Sequence, residues 1–411
     1  MTPFRLLRAV LPLLLAVPAA AQSPALPWPD PPPIAASRAR VAAITTLGRD
    51  LFFDPALSAS GRVACATCHD PRFGFSPANA EAVQPGGATL EQVGTRAVPS
   101  LSYAQFSPSF SEHYYESDED GDGSVDAGPT GGFTWDGRAS RARDQARIPL
   151  LAPNEMANAS PAAVVTRLAS GPHAAALRTL YGQDLFADPD RAFDAVLDAL
   201  EVFQQDQATF APFTSKYDAW LRGSAQLTAA EDRGRRLFED PGKGNCAQCH
   251  ISRPSGSGAL PLFTDYGLVA LGVPRNVAIP ANRDPGYFDL GLCGPERRDL
   301  TDHPDYCGLF KTPSLRNVAL RRSFFHNGVM HSLRDAVAFY VERDVAPQRW
   351  YPTDAHGVVR KFDDLPERFW ENVNDEPPFG GEAGDAPRLS PAEIDDVVAF
   401  LQTLTDGYTP R

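Results

Sequence analysis

The segment Gly48-Arg-Asp-Leu-Phe52 leads into Cys65-Ala-Thr-Cys68-His69, and the chain repeats this plan when Gly234-Arg-Arg-Leu-Phe238 leads into Cys246-Ala-Gln-Cys249-His250. A Cys-x-x-Cys-His pentapeptide is typical of covalent attachment of a c-type haem. Zinc is the alternative for a Cys-x-x-Cys pair, but zinc sites place their histidines farther from the second cysteine. The repeat therefore predicts two haem c groups and two cytochrome-c-like domains.

Each pentapeptide assigns a role to three of its side chains. The cysteines are expected to form thioether bonds to the haem, and the histidine is expected to be the proximal iron ligand. The first site consists of Cys65, Cys68 and His69, and the second of Cys246, Cys249 and His250.

The two remaining cysteines, Cys293 and Cys307, lie in a segment rich in Gly, Pro and Asp. Haem c is attached outside the cytoplasm, and two spare cysteines in an oxidising compartment most simply form a disulfide. We predict that disulfide.

The N-terminus is typical of a cleavable signal peptide. Arg5 and Arg8 precede an apolar run at 9–17, and small residues stand at Ala19 and Ala21. This pattern predicts a signal peptide at 1–21 and a periplasmic protein. The apolar run is shorter than the roughly 20 residues that span a bilayer, and no later segment is long and apolar enough, so no membrane span is expected.

Composition and length limit the classes of partner and the number of domains. The chain has 411 residues and a net charge of −13, which makes nucleic acid a poor partner. A Pro-rich leader at 22–36 precedes about 375 residues, a length that suits two domains. We place them at 37–222 and 223–411.

The fold class expected is mainly α with long irregular loops, because alternation typical of strands is scarce and residues 70–132 are rich in Gly, Pro and Ser. Capping signals and apolar periodicity mark the helices. They are predicted over Ser37–Phe53 and Arg191–Gln207, from Thr228 to Phe238, and from starts at Ser160, Ser332 and Ser390.

Five further motifs resemble the bacterial dihaem cytochrome c peroxidases and the MauG-like enzymes, over nearly the whole chain after residue 36. They are Gly48-Arg-Asp-Leu-Phe-Phe-Asp-Pro55, Thr134-Trp-Asp-Gly-Arg138, Pro149-Leu-Leu-Ala-Pro-Asn-Glu-Met156, Phe310-Lys-Thr-Pro-Ser-Leu-Arg-Asn317 and Phe325-His-Asn-Gly328.

The resemblance assigns three residues, Trp135, Glu155 and Gln145, to catalysis and Pro149 to the shape of the pocket. Trp135 matches the tryptophan that relays electrons between the haems, and Glu155 matches the distal glutamate of the haem that reacts with peroxide. Gln145 and Pro149 match residues that shape the same pocket. Heterolysis of peroxide needs a group that takes a proton from one oxygen and returns it to the other, and a carboxyl can do both.

Two departures from the peroxidase pattern affect the iron ligands. Many of these peroxidases block the active iron with a histidine after the first motif, but residues 70–112 contain none and His113 lies far downstream. The first haem is therefore expected to keep an open or water-bound position.

At the second haem, Tyr340 stands where the peroxidases have a methionine ligand, as in MauG-like enzymes. A phenolate favours ferric iron, whereas methionine raises the potential. Tyr340 could instead be a core residue, since it shares a helical face with Leu333, Ala336 and Val337, and Met330 and His331 are alternative ligands.

Calcium is the third question that the resemblance raises. The family's interdomain calcium positions are Ala97, Arg321 and Ser323 here, and a missing amide with an arriving guanidinium disfavours a cation. The stretch Asp118-x-Asp120-x-Asp122-Gly123-x-Val125-Asp126 resembles the start of a calcium loop, but Pro129 replaces the bidentate Glu at position twelve. A solvated acidic loop is the preferred interpretation.

The resemblance implies an enzyme that reacts with hydrogen peroxide and, if methionine is absent from the second iron, oxidises a partner protein. Relatives of this kind use a surface tryptophan just before the second motif, where this chain has Gly242–Asn245. The alternatives are a conventional peroxidase fed by a small electron-donor protein and a dihaem electron carrier without catalysis.

Overall fold

The computed structural model describes residues 34–115 and 126–409. The predicted signal peptide at 1–21, the leader up to residue 33 and Asp118–Val125 of the acidic loop lie outside these residues. Arg40–Arg411 form one compact unit, and the described part of the other unit, residues 34–39, is helical. None of the helices in the described residues is long and apolar enough to cross a bilayer.

The fold is mainly α, as predicted. The helices are α1 (Ile34–Phe52), α2 (Cys65–Cys68), α3 (Ala142–Leu151), α4 (Pro161–Ala169), α5 (Ala174–Tyr181), α6 (Pro189–Gln204), α7 (Gln207–Phe210), α8 (Lys216–Leu221), α9 (Ala229–Glu239), α10 (Leu333–Glu342) and α11 (Pro391–Gln402). Two short antiparallel pairs join β1 (Pro85–Gly86) to β2 (Gln92–Val93) and β3 (Leu268–Val269) to β4 (Phe310–Lys311).

The capping signals located the helix starts well. Ser160, Thr228, Ser332 and Ser390 are the N-caps of α4, α9, α10 and α11, and each side chain accepts a backbone N–H from the first turn. Helix α1 begins at Ile34, three residues before the predicted start, and α6 ends at Gln204. Helices α2, α3, α5, α7 and α8 were not predicted, because α3 contains Pro149 and the other four are short.

Helices α1 and α6 cross at Gly48 to form the core beside the first haem motif. A Cβ atom on Gly48 would lie 1.9 Å from the Ala199 carbonyl oxygen, so only glycine permits this approach. Phe52 then packs edge-on against Phe203 at 5.5 Å. The buried residues of this core come from positions 44–210.

Helices α9 and α11 repeat this crossing in the second half. A Cβ atom on Gly234 would lie 1.9 Å from the Asp396 carbonyl oxygen, and Phe238 packs against Phe400 at 5.3 Å. The buried residues of this second core come from positions 217–404. Each haem motif therefore has its own core, which supports two haem domains; the boundary at 222/223 stays a prediction.

The loop before β4 carries the predicted disulfide. Cys293 and Cys307 are bonded to each other, and both are buried in a small cluster with Leu292 and Leu300. This cluster lies next to the β3–β4 pair, in which Leu268 pairs with Lys311. The disulfide prediction is confirmed.

Candidate functional site

Both motif histidines are held in the same way. The Nδ1 atom of His69 lies 3.0 Å from the Phe75 carbonyl oxygen, and that of His250 lies 2.9 Å from the Phe263 carbonyl oxygen. A ring that donates from Nδ1 leaves the Nε2 lone pair free for a metal. Burial lowers the pKa of each imidazole to about 4, so both rings are neutral, which is the form that ligates iron.

The cysteines lie one turn before each histidine. The backbone N–H of His69 donates to the Cys65 carbonyl at 2.9 Å, and that of His250 donates to the Cys246 carbonyl at 2.8 Å. This turn brings the thiols and the imidazole of each motif together. The donor sets suit covalently bound haem c: two thiols for thioether bonds and one neutral imidazole for iron.

A cavity of about 510 Å³, here called the central cavity, lies beside the second motif. Cys246, Cys249 and His250 line it, and so does Tyr340. Trp135 and Gln145 line it from the first half of the sequence. Cys65, Cys68, His69 and Glu155 are not part of this lining.

The structure separates Tyr340 from the two alternative ligands. The Tyr340 ring stacks on Phe379 at 5.3 Å and borders the central cavity together with His250. Met330 is buried in the second core, and His331 is exposed; neither borders this cavity. Tyr340 is therefore both a packed ring and a side chain of the second site, and its ligation of iron stays a prediction.

Trp135 sits in a tight loop made by glycines. Gly132 and Gly137 have positive φ angles of 71° and 65°, and a Cβ atom on Gly132 would lie 2.3 Å from the Gly137 carbonyl oxygen. Close backbone approach of this kind requires glycine. Within the loop, the buried Trp135 points its indole N–H at the Ala97 carbonyl, 2.7 Å away.

The residue after Trp135 anchors this loop through buried charges. Asp136 is fully buried and pairs with Arg96 at 2.6 Å and with Arg138 at 2.7 Å. Burial alone would raise the pKa of Asp136, but the two guanidinium groups outweigh it and hold the pKa at about 2. The carboxylate therefore stays ionised at any working pH, and the loop stays fixed.

Two hydrogen bonds tie Trp135 to the segments beside both histidines. Its indole N–H donates to Ala97, three residues before Ser100, whose hydroxyl donates to the Gly74 carbonyl next to Phe75. Its own carbonyl accepts the N–H of Lys311 at 2.7 Å, and the carbonyl of the next residue, Thr312, accepts the hydroxyl of Thr264, which follows Phe263. Trp135 therefore links the segments that support the two motif histidines.

Glu155 is positioned by the β1–β2 pair. A Cβ atom on Gly86 would lie 2.9 Å from the Glu155 Cα, and the N–H of Gly87 donates to the Glu155 carbonyl at 2.7 Å. The residue is exposed, yet the surrounding protein desolvates its carboxyl group. This desolvation raises the pKa of Glu155 to about 7, against a smaller opposing effect of Arg138.

The charge of Glu155 reaches the first haem motif. Burial, and after it the charge of Glu155, raises the pKa of the Cys68 thiol to about 12. Pro149 supports this arrangement, because its carbonyl accepts the N–H of Met156 at 3.0 Å and closes the turn that carries Glu155. Gln145 instead faces the central cavity and makes no hydrogen bond to Glu155 within the described residues.

His113 does not belong to either haem site in the structure. Its Nδ1 atom lies 2.6 Å from the carboxylate of Asp126, and its side chain is 68% exposed. Asp126 is the last residue of the acidic loop and lies within the described residues. Its carboxylate is the group that contacts His113.

Several residues of the family motifs make contacts that the sequence pattern did not indicate. Arg138 is the cation that lowers the pKa of Glu155. Lys311 borders the central cavity, and burial lowers its pKa to about 8. His326 stacks on Phe310 at 3.6 Å beside the same cavity. The motifs that carry the resemblance contain Arg138, Phe310, Lys311 and His326, but the contacts of these residues join distant parts of the chain.

The two motifs, their separate cores and the shared tryptophan define a dihaem c-type protein. Residues 42–226 match the family model described as di-haem cytochrome c peroxidase. The methylamine utilization protein MauG of Paracoccus denitrificans is 34% identical over 90% of both chains. The cytochrome c551 peroxidase of Pseudomonas aeruginosa is 29% identical over 76% of this chain and 75% of its own.

A solved structure gives the same result for the fold. The diheme peroxidase BthA of Burkholderia thailandensis superposes with a TM-score of 0.78 and 41% identity, over 88% of this chain and 86% of its own. The chain belongs to the dihaem cytochrome c peroxidase family. It is a hydrogen-peroxide-dependent dihaem peroxidase with two covalently bound haem c groups, which excludes the non-catalytic carrier.

Proposed function

We propose that this peroxidase acts in the periplasm as a MauG-like enzyme. It reacts with hydrogen peroxide at the first haem, shares the oxidising equivalents with the second haem through Trp135, and oxidises a partner protein. Export is supported by the signal-like sequence at 1–21 and by the disulfide between Cys293 and Cys307. Family membership alone is equally compatible with a conventional peroxidase fed by a small donor.

The chain's own residues supply proton transfer at the first site. A c-type haem held by Cys65, Cys68 and His69 would supply the redox chemistry with peroxide. Beside it, a carboxyl with a pKa near 7 is suited to take a proton from one peroxide oxygen and return it to the other, since it is half ionised at neutral pH. Glu155 is that group in this proposal.

The proposal that the two haems share electrons rests on two hydrogen bonds that Trp135 makes. Its indole N–H and its carbonyl bind Ala97 and Lys311, whose segments are hydrogen-bonded to the neighbours of Phe75 and Phe263, the residues that hold His69 and His250. An aromatic ring fixed between two redox sites shortens the distance that an electron must cross. Reduction of peroxide to two waters takes two electrons, so each haem can provide one.

Tyr340 is the reason for preferring a protein oxidant to a donor-fed peroxidase. If Tyr340 bound the second iron as an anionic phenolate, it would stabilise the ferric state and make the second haem hard to reduce. A haem that resists reduction by a small donor is suited to hold an oxidising equivalent until a partner supplies the electron. The position of Tyr340 on the central cavity supports this role.

We propose that oxidising equivalents leave the enzyme toward the partner through Trp370. It is 37% exposed, and its indole N–H donates to the Leu365 carbonyl at 3.0 Å. Leu365 borders the central cavity, so one residue separates the cavity from this surface ring. Glu367 and Glu371 flank it and are exposed, which suits a partner with a basic surface.

The test adds one equivalent of peroxide to the ferric holoenzyme and follows the spectra of both haems in a stopped-flow instrument. In the wild type both haems should change together. In Trp135→Phe the first haem should still react, whereas the change at the second haem should slow at least ten-fold. Trp220→Phe, at a half-buried tryptophan outside the central cavity, is the matched control. Equal behaviour of the two variants would remove Trp135 from the pathway.

The exit is tested by the decay of the peroxide-oxidised enzyme with a basic, tyrosine-containing peptide as the electron donor. Trp370→Phe should slow this decay several-fold and leave the initial reaction with peroxide unchanged. If Trp220→Phe slows the decay instead, the exit runs through Trp220. A second haem that a small donor reduces readily would identify a conventional peroxidase.

A further inference from the structure

Arg321 connects the two halves of the molecule. It follows the short 3-10 turn Val318–Leu320 of the second half, and its guanidinium donates to two acceptors of the first half. One is the hydroxyl of Ser76 at 3.0 Å, and the other is the carbonyl of Val98 at 3.2 Å. The side chain also borders the central cavity.

The two acceptors adjoin the contacts that orient functional side chains. Ser76 follows Phe75, whose carbonyl holds the His69 imidazole. Val98 follows Ala97, whose carbonyl holds the Trp135 indole. A single guanidinium therefore fixes both segments relative to the second half, at the points where the proximal histidine and the bridging tryptophan are supported.

The charge of Arg321 is unusual in its surroundings. Burial lowers its pKa to about 10, so it stays protonated at neutral pH, and no carboxylate of the described residues forms an ion pair with it. Burial first, with a smaller contribution from this cation, also lowers the pKa of His69. Within the described residues its side-chain partners are two neutral acceptors, the Ser76 hydroxyl and the Val98 carbonyl.

The residues around Arg321 do not fit a divalent cation. Of the three positions that match the family's interdomain calcium site, Ala97 has no side-chain oxygen and its carbonyl is occupied by Trp135. Arg321 itself brings a positive charge that repels a cation. Among the described residues, no three His, Cys, Asp or Glu side chains cluster as metal ligands.

We propose that Arg321 is a positioning residue that replaces the interdomain calcium ion. Its guanidinium holds the His69 and Trp135 supports against the second half, so coupling between the haems is independent of calcium. The inference rests on the proposed sharing of oxidising equivalents, and it assigns to one side chain the link that makes sharing possible.

The first arm of the test measures calcium directly. Full-length holoenzyme is treated with the chelator EGTA, and its melting temperature, haem spectra and peroxide-driven oxidation of the second haem are recorded before and after calcium is restored. None of these should change. The same measurements on Asp120→Asn/Asp122→Asn separate any ion bound by the acidic loop. A chelator-dependent loss of coupling in both proteins would overturn the proposal.

The second arm removes the guanidinium. Arg321→Gln should leave the reaction of the first haem with peroxide nearly intact but slow oxidation of the second haem at least ten-fold, and Arg321→Lys should restore part of it. Arg322→Gln makes the same charge change at the exposed neighbouring residue and should have no effect. If Arg321→Gln matches Arg322→Gln, Arg321 has no positioning role.

The two proposals fail in distinguishable ways. If the wild type never oxidises its second haem with peroxide, the proposed function is wrong whatever calcium does. If the wild type couples its haems but only in the presence of calcium, the function stands and the role of Arg321 falls. The lysine variant and the chelator experiment keep the test valid even if Arg321→Gln does not fold.

Discussion

The first and second haem sites are built on the same frame but face different side chains. In both, a glycine lets two helices touch, a carbonyl of a residue with positive φ holds the histidine, and a serine hydroxyl supports that carbonyl segment. The paired residues are Gly48 and Gly234, Phe75 and Phe263, and Ser100 and Ser314. The two sites differ in the residue that we propose to act there, which is Glu155 at the first site and Tyr340 at the second.

This comparison shows that the repeated frame and the side chains that differ between the two sites have separate roles. The repeated frame fixes a neutral imidazole in each half, and its contacts are alike to within about 0.1 Å for the histidine hydrogen bonds. The side chain that we propose to face each iron would then decide what the site does. A carboxyl with a raised pKa can move protons, whereas a phenol can serve as an anionic ligand.

The largest expected effect follows from Tyr340→Phe. Removing the hydroxyl should leave the second iron without the proposed anionic ligand, so its low-spin ferric spectrum should disappear and the second oxidising equivalent should no longer be stored. Tyr340→Met should instead raise the potential of this haem. Electronic absorption and EPR spectra of the ferric enzyme check both outcomes.

Tyr266→Phe is the control for this prediction, because Tyr266 borders the same cavity and its buried hydroxyl has no hydrogen-bond partner among the described residues. It should keep the wild-type spectrum. A wild-type spectrum in Tyr340→Phe would show that another group binds the second iron.

Replacing the glycine at the helix crossing should lower the free energy of unfolding equally in both halves. Gly48→Ala and Gly234→Ala each force a methyl group to within 1.9 Å of a backbone oxygen, so each should lower the free energy of unfolding by about 3 kcal/mol. Gly94→Ala, where the nearest atoms are 3.8 Å away, should cost far less. Thermal unfolding of the holoenzyme measures all three, and a small loss at one crossing alone would break the equivalence of the halves.

Glu155→Gln should slow the reaction with peroxide by about 100-fold, or about 2.7 kcal/mol in activation free energy, because the amide cannot accept the proton. Both haems should remain attached. Rapid-mixing kinetics of the first haem provide the measurement, and Glu81→Gln at an exposed position is the control. An unchanged rate would exclude Glu155 from proton transfer.

The same reaction should depend on pH through Glu155. Burial raises the pKa of this carboxyl to about 7, and only the ionised form accepts a proton. The rate should therefore fall about ten-fold per pH unit below pH 7 and level off above it. The slope should vanish in Glu155→Gln; a slope that persists there would belong to another group.

The smallest effects are expected at the serines that support the histidine segments. Ser100 donates to the Gly74 carbonyl and Ser314 to the Leu262 carbonyl, both at 2.6 Å. Replacing either with alanine should lower the free energy of unfolding by about 1 kcal/mol. Denaturant titration should give equal losses, with Ser257→Ala on the surface as the control, and unequal losses would show that the two frames differ in strength.

The sequence by itself determined the features that depend on covalent chemistry or on neighbours in the chain. The two Cys-x-x-Cys-His motifs specify haem c attachment, and the spare cysteines specify Cys293–Cys307. The capping signals at Ser160, Thr228 and Ser390 located helix starts, since a cap acts within its own first turn. Helix α3 was missed because Pro149 lies inside it.

Only the tertiary structure decided which distant groups meet. The attachment of Trp135 to Ala97 and Lys311, the burial that raises the pKa of Glu155, and the link from Arg321 to Ser76 and Val98 all join residues far apart in the sequence. No local pattern encodes such contacts, because they depend on how the loops between the helices fold around the two cores. Pairing and desolvation are properties of the assembled fold, and they convert two similar haem frames into two different sites.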